Sequence, residues 1–251
     1  MKLRDTARNW QRLGELDPLF AVLTFKDKQG GKWDREDFFK TGEIEIQNTF
    51  AYISSLGLAS PHGKALDFGC GVGRLTQALA EYFREVTGVD IASSMIELAQ
   101  QYNRYGAKCR YYVHTANDLR LFPDRSFDFV YSKITLQHVE PRYAENYIKE
   151  FLRVLAPQGI LFFQLPSGPS PFYPRTAPAG FRNSLKSFIP SPALTLFYRI
   201  KHHYHPVLEM HAIQKNEVVG LIESCGGKVL GIRENQDAGE KWISLDYCVT
   251  L

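Results

Sequence analysis

Cysteine is scarce in this chain, and the spacing that holds metals or pairs thiols is missing. The four cysteines among 251 residues, Cys70, Cys109, Cys225 and Cys248, stand far apart with no Cys-x-x-Cys pair. That excludes a recognisable zinc motif and a disulfide framework, and it points to a reducing compartment. Long apolar runs are also lacking, so no transmembrane segment is expected. The start Met1-Lys2-Leu3-Arg4-Asp5-Thr6 is too polar for the core of a signal peptide. A cytoplasmic protein is the expectation from these absences. Charge of one sign is missing too: 30 Lys and Arg face 27 Asp and Glu, a formal net charge of +3, with no basic tail. Such a balance argues against a dedicated nucleic-acid partner. No internal repeat or low-complexity tract is visible.

What is present is enough apolar matter for a sizeable core, at 44% hydrophobic residues in a chain long enough for one α/β domain. Residues 1–60 read as an N-terminal helical cap, with Trp10, Phe20, Phe25, Trp33, Phe38 and Phe39 spaced among charges and a break at Gly30-Gly31. Within it, Ile44, Ile46, Phe50, Ile53 and Leu56 recur near helical spacing and predict a helix over 43–58. From 64 to 165 strand and helix patterns alternate, which predicts a mostly parallel sheet covered on both faces. Residues 166–211 break the rhythm with many prolines and an aromatic, basic middle, and read as an insertion over the site. Residues 212–251 then read as a helix over 216–224, stopped by Gly226-Gly227, and a hairpin of strands over 228–233 and 242–250.

The most informative run is Ala65-Leu66-Asp67-Phe68-Gly69-Cys70-Gly71-Val72-Gly73-Arg74, where a short apolar strand closes on an acidic residue and three alternating glycines. Glycine removes each Cβ that would block a ligand and permits φ > 0 where the chain turns into a helix. A dinucleotide-binding turn is also glycine-rich, yet its Gly-x-Gly-x-x-Gly spacing from Gly69 would need a third glycine where Arg74 stands. The run resembles motif I of the class I S-adenosylmethionine (SAM) dependent methyltransferases, acidic-x-Gly-x-Gly-x-Gly after the first strand. The resemblance implies a Rossmann-like fold with a seven-stranded, mostly parallel sheet, a reversed last strand, and helices on both faces. It also implies SAM as cofactor, bound near Gly69, Cys70, Gly71, Gly73 and Arg74. Asp67 would face the cationic end of SAM.

Further landmarks follow the same resemblance. Asp90 ends a strand about twenty residues past the turn, where a ribose acceptor is expected; as a good N-cap residue it also suits the start of the next helix. Ile91 and Met95 are candidate contacts to the adenine faces, with Met95 equally at home in the core. Relatives often place an Asp or Asn at the position of Thr115; here Thr115 and the backbone of Ala116 are the candidates for the adenine edge. The main chain of Lys133 and Ile134 is the candidate for the amino-acid end. The exit Leu136-Gln137-His138 replaces the Asn/Asp-Pro-Pro-aromatic segment of amide-nitrogen methyltransferases and resembles small-molecule enzymes. His138 is the candidate general base for an attacking hydroxyl; a histidine that hydrogen-bonds only to the scaffold fits as well.

The aromatics Trp33, Phe38, Phe39, Phe172, Tyr173, Phe181, Phe188 and Tyr198 suit either an acceptor pocket or the packing of a lid. Lys201-His202-His203-Tyr204-His205 lacks a carboxylate at metal spacing, so no metal is expected. The function expected is methyl transfer to a small-molecule acceptor, with oxygen favoured over nitrogen or carbon. Two other readings are a catalytically silent SAM-binding subunit and a nicotinamide-dependent oxidoreductase, the latter opposed by Arg74.

Overall fold

The computed structural model describes residues 2–59, 61–172 and 208–251. The middle of the expected insertion, including Tyr173, Phe181, Phe188, Tyr198 and the cluster at 201–205, lies outside the described residues. The strands are β1 (Lys64–Phe68), β2 (Glu85–Asp90), β3 (Cys109–Val113), β4 (Phe127–Ser132), β5 (Leu155–Pro169), β6 (Lys228–Asn235) and β7 (Trp242–Thr250). The helices are α1 (Leu3–Leu16), α2 (Pro18–Val22), α3 (Arg35–Ser55), α4 (Arg74–Leu79), α5 (Ser93–Tyr102), α6 (Pro141–Val154) and α7 (Lys215–Ser224).

The seven strands run in the order β3-β2-β1-β4-β5-β7-β6. All neighbours up to β5 are parallel, and β7 is antiparallel to both β5 and β6. The strand order reverses between β1 and β4, which opens a crevice at the carboxyl ends of these strands. Asp67 pairs in register with Gly88 on one side and Tyr131 on the other, so β1, β2 and β4 deliver their last residues to one rim.

Side chains alternate across the pleat and feed two cores. Leu66, Phe68 and Val130 pack with Tyr147, Phe151 and Leu152 of α6 and with Val218 and Ile222 of α7. Ala65, Phe129, Tyr131 and Phe162 pack on the other face, with Ile46, Phe50 and Ile53 of α3 and with Leu75 and Leu79 of α4. A third cluster, including Trp33, Phe38, Phe39, Val72, Ala92 and Met95, seats the N-terminal helices beside the carboxyl rim.

Two elements run further than their patterns predict. Helix α3 starts at Arg35 because Asp34 caps it, accepting from the backbone N–H of Asp37 at 3.0 Å, with Glu36 and Asp37 favourable in the first turn. Strand β5 continues to Pro169 because β7 offers partners as far as Pro169↔Trp242. A register shift between Pro166 and Gly168 accommodates a proline without a donor. Among the described residues no helix is long and apolar enough to cross a membrane.

Candidate functional site: the cleft at the strand-order reversal

The glycine turn between β1 and α4 has left-handed backbone at Gly69 (φ 77°) and Gly73 (φ 83°). A Cβ on Gly69 would lie 2.2 Å from the Thr135 side chain, and one on Gly73 would lie 2.7 Å from the Tyr111 hydroxyl. Any other residue at either position would meet both strain and collision. The turn is held from its edge: the N–H groups of Gly69 and Cys70 donate to the Val89 carbonyl at 2.8 and 3.0 Å. Asp90 holds it as well, its Oδ2 accepting from Gly71 N–H and its Oδ1 from Ala92 N–H, both at 2.9 Å. Burial pushes the Asp90 carboxyl above its usual range against the pull of these bonds. An ionised carboxylate keeps further lone pairs beyond two such bonds, and Asp90 lies on the cavity wall.

The cleft takes in about 910 Å³ of space not filled by atoms, open solvent at its mouth included. Gly69, Cys70, Gly71 and Arg74 form one wall, with Asp90, Ile91 and Met95 beside them. Lys133, Ile134 and Thr135 form the opposite wall at the exit of β4. Leu3, Thr6 and Trp10 of α1 and Val22 of α2 contribute to the lining, as do His114 and Tyr147. Asp67, Gly73, Thr115, Ala116 and His138 do not line it.

Each of these five has an identifiable place. Asp67 is buried under the turn and accepts from Thr76 Oγ1 at 2.6 Å, tying β1 to α4. Burial pushes its carboxyl up to about 6, with the Thr76 bond and the Arg74 charge opposing. Gly73 is the N-cap of α4. Thr115 follows His114, whose N–H donates to the Asp90 carbonyl at 2.8 Å. The Ala116 carbonyl accepts from Tyr147 Oη at 2.7 Å, while the Tyr147 ring lies 4.5 Å from that of Phe68. His138 is buried against the edge of Trp10, their ring centroids 5.4 Å apart.

Arg74 is 4% exposed. Its Nη1 donates to Thr41 Oγ1 at 3.3 Å, whereas its Nε has no hydrogen-bond partner among the described residues. Burial lowers the guanidinium, with Glu45 the main opposing charge. A buried N–H donor without an acceptor is costly, and a bound carboxylate would supply one.

Lys133 sits in a set of carboxylates. Its Nζ lies 2.7 Å from Asp246, 2.8 Å from Asp237 and 3.4 Å from Glu45. Asp246 also receives Arg233 Nε at 2.9 Å and Asn235 Nδ2 at 2.8 Å. Burial works to lower the ammonium, but Tyr131 and the carboxylates outweigh it and hold Lys133 above the usual lysine range. The main chain at this exit is engaged internally: Lys133 O accepts from Thr135 Oγ1 at 3.0 Å, and Ile134 N–H donates to Gln164 Oε1 at 3.1 Å. Among the described residues no group of three or more His, Cys, Asp or Glu could hold a metal ion.

Sequence reading did not single out Leu3, Thr6, Val22, His114 or Tyr147 as lining residues. The helical spacing of Leu3, Thr6, Trp10 and Leu13 marks one face of α1, but periodicity says only that the face is covered, not by what. Trp33, Phe38 and Phe39, left open between pocket and packing, are buried in the third cluster and do not line the cavity.

Residues 66–163 match the family described as the methyltransferase domain. The chain is 32% identical over 142 residues to phosphoethanolamine N-methyltransferase 3 of Arabidopsis thaliana, covering 54% of this chain and 28% of that protein. It is 32% identical over 135 residues to a ubiquinone biosynthesis O-methyltransferase of Haemophilus ducreyi, covering 52% and 56%. The chain spans between 24% and 56% of the length of such curated relatives. A solved SAM-dependent methyltransferase of Leishmania major shares the fold, with a TM-score of 0.63 at 15% identity over 99% of this chain and 82% of that one. The strand order and reversed last strand give this chain the Rossmann-like fold of such methyltransferases, and its residues 66–163 are similar to their methyltransferase domain.

Proposed function

We propose that this protein transfers the methyl group of SAM to a small-molecule acceptor bound in the cleft between the glycine turn and the β4 exit. The observation that carries the reading is the convergence on one wall of a turn no side chain can fill, the buried donor of Arg74, and Asp90. These features fit SAM: Gly69 to Gly71 admit its amino-acid part, Arg74 Nε meets its carboxylate, Asp90 accepts from its ribose hydroxyls, and Ile91 and Met95 flank its adenine. Thr115 and the Ala116 backbone remain the candidates for the adenine edge, reached by a small movement of that loop. SAM supplies an electrophilic methyl on a sulfonium that is itself the leaving group.

The chain's own task is alignment and exclusion of water. Trp10, Leu3, Val22, Phe68 and Val139 supply apolar surface around the acceptor volume. Among the described lining residues, Asp90 is the one carboxylate, and it belongs to the cofactor half. An ammonium acceptor would find no counter-charge there, which favours a neutral acceptor such as a hydroxyl compound. The N- and O-methyltransferase names of the relatives are consistent with a small acceptor.

Asp90→Ala is expected to lower SAM affinity by about 10-fold or more, since it removes a charge-assisted acceptor and loosens the Gly71 turn. Calorimetric titration with SAM reads this directly, and unchanged affinity would refute the ribose assignment. Incubation with labelled SAM and a metabolite extract, followed by product mass and fragmentation, identifies the acceptor. SAM binding with no labelled product from any extract would favour the silent subunit instead.

A further inference from the structure

We propose that Gln164, Gln137 and His138 form a one-directional hydrogen-bond chain, started by the backbone N–H of Ile134, that fixes His138 as its Nδ1–H tautomer. It makes His138 a positioning residue that joins the cavity wall to the segment returning at Glu209. The assignment follows from donors and acceptors alone. A backbone N–H can only donate, so the atom of Gln164 that meets Ile134 at 3.1 Å is its oxygen, Oε1. Gln164 Nε2 then faces the other way, donating to Gln137 Oε1 at 3.0 Å and to Ser244 Oγ at 2.7 Å. With its oxygen used, Gln137 presents Nε2 to His138 Nε2 at 3.1 Å. An amide NH₂ only donates, so His138 Nε2 carries a lone pair and its proton sits on Nδ1, donating to the Glu209 carbonyl at 3.0 Å. Turning over either amide would set donor against donor or acceptor against acceptor. In a chain whose polar members Gln164, Gln137, Ser244 and His138 are all buried, that mismatch is costly.

The chain spans the acceptor side of the cleft. Ile134 is a cavity residue with φ 56°, an unusual backbone for a β-branched side chain, and the Gln164 bond helps hold it there. At the other end the returning segment is tied twice, through Glu209 O to His138 and through His211 N–H to the Gln137 carbonyl at 2.8 Å. Trp10 of α1 lies edge-on against the imidazole and also lines the cavity. With Nε2 occupied by Gln137 and Nδ1 by Glu209, the ring offers no lone pair to a substrate. Among the described residues the titratable group that bears on it is His211, whose Nε2 lies 3.3 Å from Glu209 Oε2, while Glu209 meets the ring only through its backbone carbonyl. Burial and the His211 charge lower the His138 pKa, opposed by the Glu209 carbonyl bond, in keeping with a neutral ring.

The tautomer stands independently of the methyl-transfer reading, whereas its bearing on the acceptor rests on that reading. ¹⁵N spectroscopy of the imidazoles, with His138 assigned by substitution, is expected to show a neutral Nδ1–H ring near neutral pH. An Nε2–H ring, or an imidazolium, would overturn the proposal. Gln164→Glu does not touch His138, yet its second carboxylate oxygen would force Gln137 to turn over and present oxygen to His138 Nε2. The His138 midpoint is then expected to rise by about 1–3 pH units, and an unchanged midpoint in the folded variant would refute a directional chain. Should that variant not fold, Gln137→Glu makes the same exchange one step nearer and is judged by the same midpoint. His138→Phe keeps a ring and deletes both nitrogens. Amide exchange over 208–213 is expected to rise about fivefold or more while the glycine turn is unaffected. Unaltered exchange would refute the positioning role. SAM titration on the same samples separates the two readings, since absent SAM binding would sink the methyl-transfer proposal and leave the tautomer standing.

Discussion

The two walls of the cleft meet where Gly69 faces Thr135, and they solve the same backbone problem differently. On the glycine-turn side, left-handed φ is carried by glycine, which has no Cβ to strain. On the β4 side it is carried by Ile134, a residue poorly suited to it, held by a glutamine amide next to a lysine embedded in carboxylates. The first wall is built from backbone and local sequence. The second is built from side chains of α3, β5, β6 and β7 that converge only in the fold.

Substitutions can break this contrast in order of size. Lys133→Met would leave Asp246, Asp237 and Glu45 without their shared cation, with Arg233 and Asn235 the remaining partners of Asp246. Breaking such a buried set is expected to lower stability by about 3–5 kcal/mol, read by urea unfolding. A loss no larger than that of a surface pair would mean the carboxylates are not desolvated as the structure has them.

The next comparison sets Gly69→Ala beside Ile134→Gly. The alanine combines left-handed strain with a Cβ driven into Thr135, for an expected loss of about 2–4 kcal/mol and a matching fall in SAM affinity. The glycine relieves strain and gives up side-chain contacts, so its expected change is within about 1 kcal/mol. Equal losses would erase the distinction between the walls.

The smallest effect is a pH dependence of opposite sign on the two sides. Asp67, raised to about 6, favours its protonated form in the folded state, so the stability it contributes is present at low pH and lost as pH rises through about 6. His138, lowered by burial, contributes stability that is present above the ordinary value of 6.5 and lost as pH falls below it. Asp67→Asn removes the first contribution and keeps an acceptor for Thr76. Its stability should therefore fall more steeply on acidification than that of the parent, by about 1 kcal/mol per pH unit between the ordinary and raised values of Asp67. Parallel stability curves would show that Asp67 ionises normally.

Much of the β1 to β5 core was legible because its information is local. Alternating apolar strands, the glycine spacing and Asp90 at a strand end are each written within a few residues of where they act, and the register of β1 with β2 and β4 then brings them to one rim. The start of α3 at Arg35 was also written locally, in Asp34 and the acidic first turn, but the apolar spacing beginning at Ile44 drew the helix too short. Lys133 and His138 were visible as residues and not as partners. Nothing near Lys133 in sequence announces Glu45, Asp237 and Asp246, and nothing near His138 announces Gln164 or Glu209.

By itself the sequence determined the kind of cleft: a strand, a turn open to a ligand and a carboxylate at the next strand end follow from steric freedom and short-range spacing. Only the tertiary structure decided what each polar group faces. It turned Asp67 inward to Thr76, surrounded Lys133 with carboxylates, and set the proton of His138 through an amide chain that begins at Ile134. The physical reason is that a buried polar group takes its role from its partners, and those partners are brought together by packing across the sheet, tens of residues away along the chain.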